Sequence, residues 1–452
     1  MALTVGPVTT DTLFGVPTPA APDPLSSRRV RPERGLWRLL GPAFVAAIAY
    51  VDPGNVATNV SAGARYGYLL VWVLVVANGM AVLIQYLSAK LGLVTGRSLP
   101  ELLAERLSPW PRRTYWIQAE VVAAATDVAE VVGGAIALNL LLGLPLVWGG
   151  VITASVSMVL LAVHSRRGQQ PFEFVIIALL AIIATGFVAG LFVADVQWAE
   201  AVAGVVPHFA GRETVVLAAS MLGATVMPHA IYLHSSLSRD RHFPAVRSDG
   251  VRLRDDPMKE LVDADDHRRR LPLLLRATKV DVGYSLLIAG SVNIAMLLLA
   301  AAALPGASDT DTIAGAHREL SSALGPAVGM IFAVGLLASG LAATSVGAYA
   351  GAVIMGGLLH RRVPLLVRRV VTVIPALVIL ATGVEPTRAL VLSQVVLSVG
   401  IPFALVPLVR LTASRTLMGR YAASRFVSAL AWCVVVLVIA LNVMLIAVAA
   451  TS

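Results

Sequence analysis

AYVDPGNVATN, residues 49–59, sets an aspartate, a proline and a glycine in the middle of a stretch that otherwise reads as a membrane-crossing helix. In an α-helix the N–H of residue i bonds the carbonyl of residue i−4. Proline has no N–H, so Pro53 deprives the carbonyl of Ala49 of its helical partner, and Gly54 lets the chain leave helical geometry without a steric penalty. Inside a bilayer such a carbonyl is tolerated only where it faces protein, water or an ion. Asp52 adds a cost of about 2.5–3.5 kcal/mol at a helix centre, which a bound cation would offset. The side-chain oxygen of Asn55 stands beside it.

A second break matches the first. Residues 224–230 read ATVMPHA and overlay residues 49–55, AYVDPGN, with Ala, Val and Pro in common. Pro228 thereby releases the carbonyl of Ala224, and Met227 adds a thioether. Hard oxygens alone suit Na⁺, Mg²⁺ or Ca²⁺, whereas a sulfur beside them favours softer first-row divalent ions. The candidate set is therefore Asp52, Asn55, Met227, Ala224 and Ala49, with Mn²⁺ or Fe²⁺ as the ion. Gln394 either lends it an amide oxygen or packs between helices.

The rest of the chain frames these segments. Of 452 residues 57% are hydrophobic and 13% charged, with mean hydropathy +0.81, too apolar for a soluble protein of this length. Apolar runs predict eleven spans, at 39–64, 68–92, 115–141, 145–163, 173–195, 213–238, 282–304, 325–357, 364–383, 387–410 and 424–448. An all-α membrane protein follows. The broken spans are the first and sixth, so they open two successive sets of five. An odd number per set inverts the second relative to the first, and inverted repeats with discontinuous first helices are a transporter architecture. Residues 1–35 read as a disordered basic tail, 36–412 as the repeat core (36–200 and 210–412), and 413–452 as the eleventh helix. The charged stretch 239–280 reads as a solvated loop.

All but four of the 35 lysines and arginines fall on segments that share one side with the N-terminus, the exceptions being Arg65, Arg212, Arg318 and Arg388. The N-terminus is therefore expected in the cytoplasm and the C-terminus outside the cell membrane. The same bias accounts for the net charge of +9, so no nucleic-acid partner is needed. Nothing demands a second subunit, and a monomer suffices. Cys433 is the single cysteine, which leaves no disulfide framework.

Further polar residues sit within apolar surroundings. His229 is either a satisfied core histidine or a proton carrier. In the third span Asp127 and Glu130 share a helix face, with Glu120 two turns earlier; they read as a proton wire or as interhelical glue. Arg368 and Arg369 open the ninth span, either anchoring it by snorkelling or pairing with those acids. No lysine precedes Ser or Thr, so there is no phosphate-binding P-loop, and no histidine is followed by Glu. No enzyme activity and no resident cofactor are expected.

DPGN at 52–55 and MPHAIYLHS at 227–235, with ARYGY at 64–68, ATDVAE at 125–130, VRR at 367–369 and LSQV at 392–395, resemble the Nramp family of proton-coupled divalent-metal transporters, in its bacterial manganese-transporting form. The resemblance implies a LeuT-like 5+5 inverted repeat with discontinuous helices 1 and 6, plus one extra C-terminal helix. It implies Asp52, Asn55 and Met227 as side-chain ligands, with the carbonyls of Ala49 and Ala224 alternating and Gln394 joining in one state. It further implies a proton route through His229, Asp127 and Glu130, with Arg368 and Arg369 toward the exit. Met227 argues against the related magnesium-transporting branch. The stretch 239–280 is longer and more charged than the usual bacterial connection. The expected function is secondary active, proton-coupled import of Mn²⁺ or Fe²⁺. The alternatives are a sodium-coupled amino-acid symporter of the same architecture and a membrane receptor without turnover.

Overall fold

Asp52 begins a helix. Its backbone is extended (φ −77°, ψ 166°), its side chain accepts the N–H of Asn55 at 2.9 Å, and Pro53 occupies the first helical position. Asp at the N-cap with Pro following is a strong helix-start signal. The chemistry that ends one helix at this point starts another.

The computed structural model describes residues 41–242, 257–306, 310, 312–361 and 363–451, so the predicted tail 1–35 lies outside the described residues. Helix α1 (Pro42–Ala47) tightens into a 3₁₀ turn (Ile48–Val51) before the break, and α2 (Pro53–Tyr66) follows. Next come α3 (Val71–Thr95), α4 (Leu99–Arg106), α5 (Pro109–Leu142), α6 (Leu146–Arg167), α7 (Gln169–Leu191) and α8 (Trp198–Ala203). The second broken pair is α9 (Arg212–Thr225) and α10 (Pro228–His242), with Val226 out of helical geometry at φ −93°, ψ 88°. Then follow α11 (Pro257–Ala303), α12 (Ile313–Leu324), α13 (Pro326–Leu359), α14 (Leu365–Ala381), α15 (Pro386–Ala413), α16 (Arg415–Met418) and α17 (Arg425–Thr451).

Among the described residues, nine helices are long and apolar enough to cross a membrane, α9 and α10 counting together as one. The two other expected spans fall on the interrupted α1–α2 segment and on the shorter α14. Large apolar side chains on α6, α7 and α17, among them Trp148, Val159, Phe174, Ile182 and Val436, are exposed and form a lipid-facing periphery. The α5 helix is central and packs on α6, α13, α14 and α15, while α2 lies on α11 and α10 on α3.

The reading of 239–280 as a solvated loop is corrected. Helix α10 runs on to His242 and α11 begins at Pro257, with 243–256 outside the described residues. The sequence spacing here is helical, since Asp263, Asp265 and Asp266 each stand four residues before His267, Arg269 and Arg270 in acid-before-base order. The extension is docked as well: Leu271, Leu274 and Leu275 are buried against Leu93, and a ring nitrogen of His267 lies 3.1 Å from the Leu93 carbonyl.

The start of α1 is fixed by the same helix. The carboxylate of Asp281 accepts the N–H groups of Gly41 and Ala43, both at 3.0 Å, from a buried position. These are donors that a helix start leaves without intrahelical partners. Asp281→Ala should therefore lower unfolding stability by roughly 1–2 kcal/mol, measurable as a drop in Tm of the detergent-solubilised protein, while Asp281→Asn should lose less.

Candidate metal site

The two breaks meet. Asn55 Nδ2 donates to the Ala224 carbonyl at 3.2 Å and to Asp52 Oδ1 at 2.5 Å, joining the start of α2 to the end of α9. From α15, Gln394 Nε2 donates to Asp52 Oδ2 at 3.2 Å. Asp52 and Asn55 are each 1% exposed. Gly54 makes room for this contact, since a Cβ there would overlap the Gln394 amide.

Both amides turn their nitrogens to the carboxylate, and this leaves Asn55 Oδ1 and Gln394 Oε1 buried without a partner. A half-turn of either amide would put oxygen where nitrogen now lies. Two orphaned oxygens beside a carboxylate and a carbonyl form a donor set suited to a cation. Among the described residues no three His, Cys, Asp or Glu side chains group as a metal site, so this set depends on a single carboxylate. Met227 is buried in the non-helical link before Pro228. Ala49 is buried in the 3₁₀ turn. The carbonyls that follow it are claimed by other side chains: Tyr50 accepts Asn293 Nδ2 at 2.8 Å, and Val51 accepts the Ser339 hydroxyl.

The acids of α5 run toward the break along one face. Glu120 meets Arg368 at 2.5 Å, and Arg368 Nη1 also donates to the Ala348 carbonyl at 3.2 Å. Asp127 meets Arg369 at 2.5 Å, and Arg369 further donates to the hydroxyls of Ser157, at 2.9 Å, and Thr344. Of the two sequence readings, pairing with the acids is the one observed. Arg369 is 0% exposed, so the ninth span carries a buried basic residue, kept there by its acid and two hydroxyls. Glu130 is buried with neither carboxylate oxygen bonded, and one turn further on Gly133 packs on Pro53, where a Cβ would overlap the proline ring. His229 is buried with neither ring nitrogen partnered.

Other polar residues escaped the sequence reading. Gln85 Nε2 donates to the Tyr50 hydroxyl at 2.8 Å, and its Oε1 lies 2.8 Å from Nδ1 of buried His234. Asn59 Nδ2 donates to Asn293 Oδ1 at 2.9 Å, linking α2 to α11. A lone Gln in the apolar run VLIQYL, and a second histidine five residues after His229, were the available signals.

An all-helical membrane protein whose two interrupted helices pool a carboxylate, amide side chains and a backbone carbonyl in its interior has the build of a secondary transporter. The family model described as natural resistance-associated macrophage protein-like, Nramp, matches residues 43–448. The chain is 58% identical over 410 residues to the divalent metal cation transporter MntH of Mycobacterium tuberculosis (strain ATCC 25618 / H37Rv), covering 91% of each. A crystal structure of the Eremococcus coleocola manganese transporter, in complex with an aromatic bis-isothiourea substituted compound, superposes with a TM-score of 0.78 at 29% identity, covering 90% of this chain and 86% of that one. MhsT in complex with L-phenylalanine gives a TM-score of 0.54 at 12% identity over 89% and 98% of the two chains, a likeness of fold alone. The chain belongs to the Nramp family.

The buried ion pair makes its own prediction. Arg369→Met leaves Asp127 buried without its counter-charge and should cost about 3–5 kcal/mol. Adding Asp127→Asn should recover much of that loss, and a double-mutant cycle on unfolding free energies would measure the coupling.

Proposed function

We propose that the chain is a secondary active importer of Mn²⁺ or Fe²⁺, coupled to protons and working by alternating access in the cell membrane, with its N-terminus in the cytoplasm and its C-terminus outside. One observation carries the reading: an amide at one break bridges the Asp52 carboxylate to the Ala224 carbonyl at the other, while two amide oxygens beside them lack partners. The charge of Asp52 attracts the ion. Asn55 and Gln394 turn their oxygens inward, the carbonyls of Ala224 and Ala49 contribute in alternate states, and Met227 supplies the sulfur. Spans 1–5 and 6–10 form the two inverted sets that rock around this point, and a monomer suffices.

Protons take the α5 face. Glu130 is the carboxylate with room to take and give a proton, since its oxygens have no donor to lose, and His229 is equally unencumbered. Asp127 and Glu120, fixed by Arg369 and Arg368, continue the route away from the break. The membrane potential adds about 2.3 kcal/mol per charge per 100 mV to entry of a cation. The family and the carboxylate of Asp52 both disfavour an amino-acid symporter, whose substrate carboxylate Asp52 would repel.

Mn²⁺ uptake into proteoliposomes should vanish in Asp52→Ala, and undiminished uptake there would reject the assignment. Met227→Ala should keep transport but admit competition from Ca²⁺ or Mg²⁺, because the oxygens bind while the sulfur discriminates. Glu130→Gln should retain Mn²⁺ binding by calorimetry and lose metal-driven acidification of the lumen; intact acidification would remove Glu130 from the route. Competition between Mn²⁺ and Fe²⁺ for uptake would rank the two ions.

A further inference from the structure

The link between α15 and α17 borders an open recess of about 590 Å³ lined by the exposed Arg415, Arg420 and Arg425 and by Ser424 and Ser428 together with small residues. No lining residue is acidic, and the chain has no Asp or Glu at all after Glu385. Three guanidinium groups from three separate local elements, α16, the turn Gly419–Tyr421 and the start of α17, thus face one space without a carboxylate among them.

The link is held in shape. Ala423 N–H bonds back to the Thr412 carbonyl at 2.9 Å, and Met418 N–H to the Ser414 carbonyl at 2.9 Å. Gly419 takes φ 53°, a conformation that favours glycine. Arg420 lies over the Tyr421 ring at 4.9 Å and donates to its hydroxyl at 2.9 Å, which steadies its planar fork. Arginines that only anchor a helix end reach separately into water. These three instead line one recess, so an anion seated in it would be held by several charge-assisted donors at once.

What lies beside the recess identifies the anion. Phe426, Leu430, Cys433 and Leu437 follow at helical spacing on α17 and are all exposed, Phe426 at 76%. This stripe leads from the arginines onto the apolar flank of the bundle, so a molecule with its anionic group in the recess can lay acyl chains along the helix. We propose that the recess binds the phosphate ester of an anionic phospholipid headgroup, with the guanidinium groups of Arg415, Arg420 and Arg425 and the hydroxyls of Ser424 and Ser428 as its donors. A free phosphate would use the same donors but would leave the apolar stripe unused.

Binding of a fluorescent phosphatidylglycerol to the detergent-solubilised full chain tests this, with inorganic phosphate as competitor and fluorescent phosphatidylcholine as the zwitterionic reference. Affinity for phosphatidylglycerol should fall about fivefold for each arginine changed to Gln. It should survive largely in the triple variant R415K/R420K/R425K and stay unchanged in Arg166→Gln/Arg167→Gln, which removes two exposed positive charges elsewhere. Inorganic phosphate should displace the lipid only weakly. Equal affinity in wild type and the glutamine variants, equal loss in the α6 control, or phosphate binding as tight as the lipid would each overturn the proposal. If one of the glutamine variants is not recovered folded, the other two give the same reading.

Discussion

The hydrogen bond from Asn55 N–H to the Asp52 carboxylate fixes both where α2 begins and where that carboxylate lies. The two cannot be moved independently, because the cap sets the side chain's direction. A helix start places partial positive charge on its first N–H groups, which suits the carboxylate. The end of α9 presents the opposite pole, and the Ala224 carbonyl is what Asn55 reaches across to touch. Between a capped carboxylate and a buried helix-end carbonyl, a cation is favoured by both neighbours. Interrupting the two helices supplies these poles in the middle of the bundle, where continuous helices would have hidden every backbone dipole inside their own hydrogen bonds.

Packing around the break depends on absent side chains. On α13, Gly340, Gly347 and Gly351 share a face, and a Cβ at these positions would press respectively on the α5 backbone near Gly134, on the Glu130 carboxylate and on the Arg368 guanidinium. In lipid no hydrophobic force draws helices together, so close approach through small residues is a main source of association. Here the same approach brings the α14 arginines within reach of the α5 acids. Replacing a glycine of this stripe by a larger residue would therefore disturb polar pairing as well as helix contact.

The breaks were legible because proline acts locally: the missing N–H and the adjacent Asp, Asn and Met are all in the sequence itself. Reading Pro53 as a lost hydrogen bond located the site but passed over the other half of its chemistry, that Asp-Pro also starts a helix. The segment 257–280 was misjudged because high charge was weighed as composition, whereas the acid-to-base spacing of four residues within it is helical. The burial of Arg369 was not legible. Its partners Asp127, Ser157 and Thr344 come from three other helices, and an Arg-Arg pair near a predicted span end looks the same in sequence whether it snorkels or pairs. The chain from Tyr50 through Gln85 to His234 was hidden for the same reason, since each member alone is one polar residue in an apolar run.

The acids of α5 are alike in sequence and differ in what holds them. Glu120 is partly accessible and gives one oxygen to Arg368 while the other has no partner. Asp127 is bound to an arginine that is itself gripped by two hydroxyls, so it behaves as a fixed part of the scaffold. Glu130 lies nearest the break, against a glycine and without a donor, and only there can a carboxylate change its bonding without first dismantling an ion pair. A proposed proton route needs such a mobile member next to the proposed metal site and fixed charges behind it that keep the path polar. The order of attachment along one helix face, from a partly accessible ion pair to a buried ion pair in the middle to an unbonded carboxylate at the break, provides that arrangement, with the unbonded member adjoining Pro53 through Gly133, one turn away.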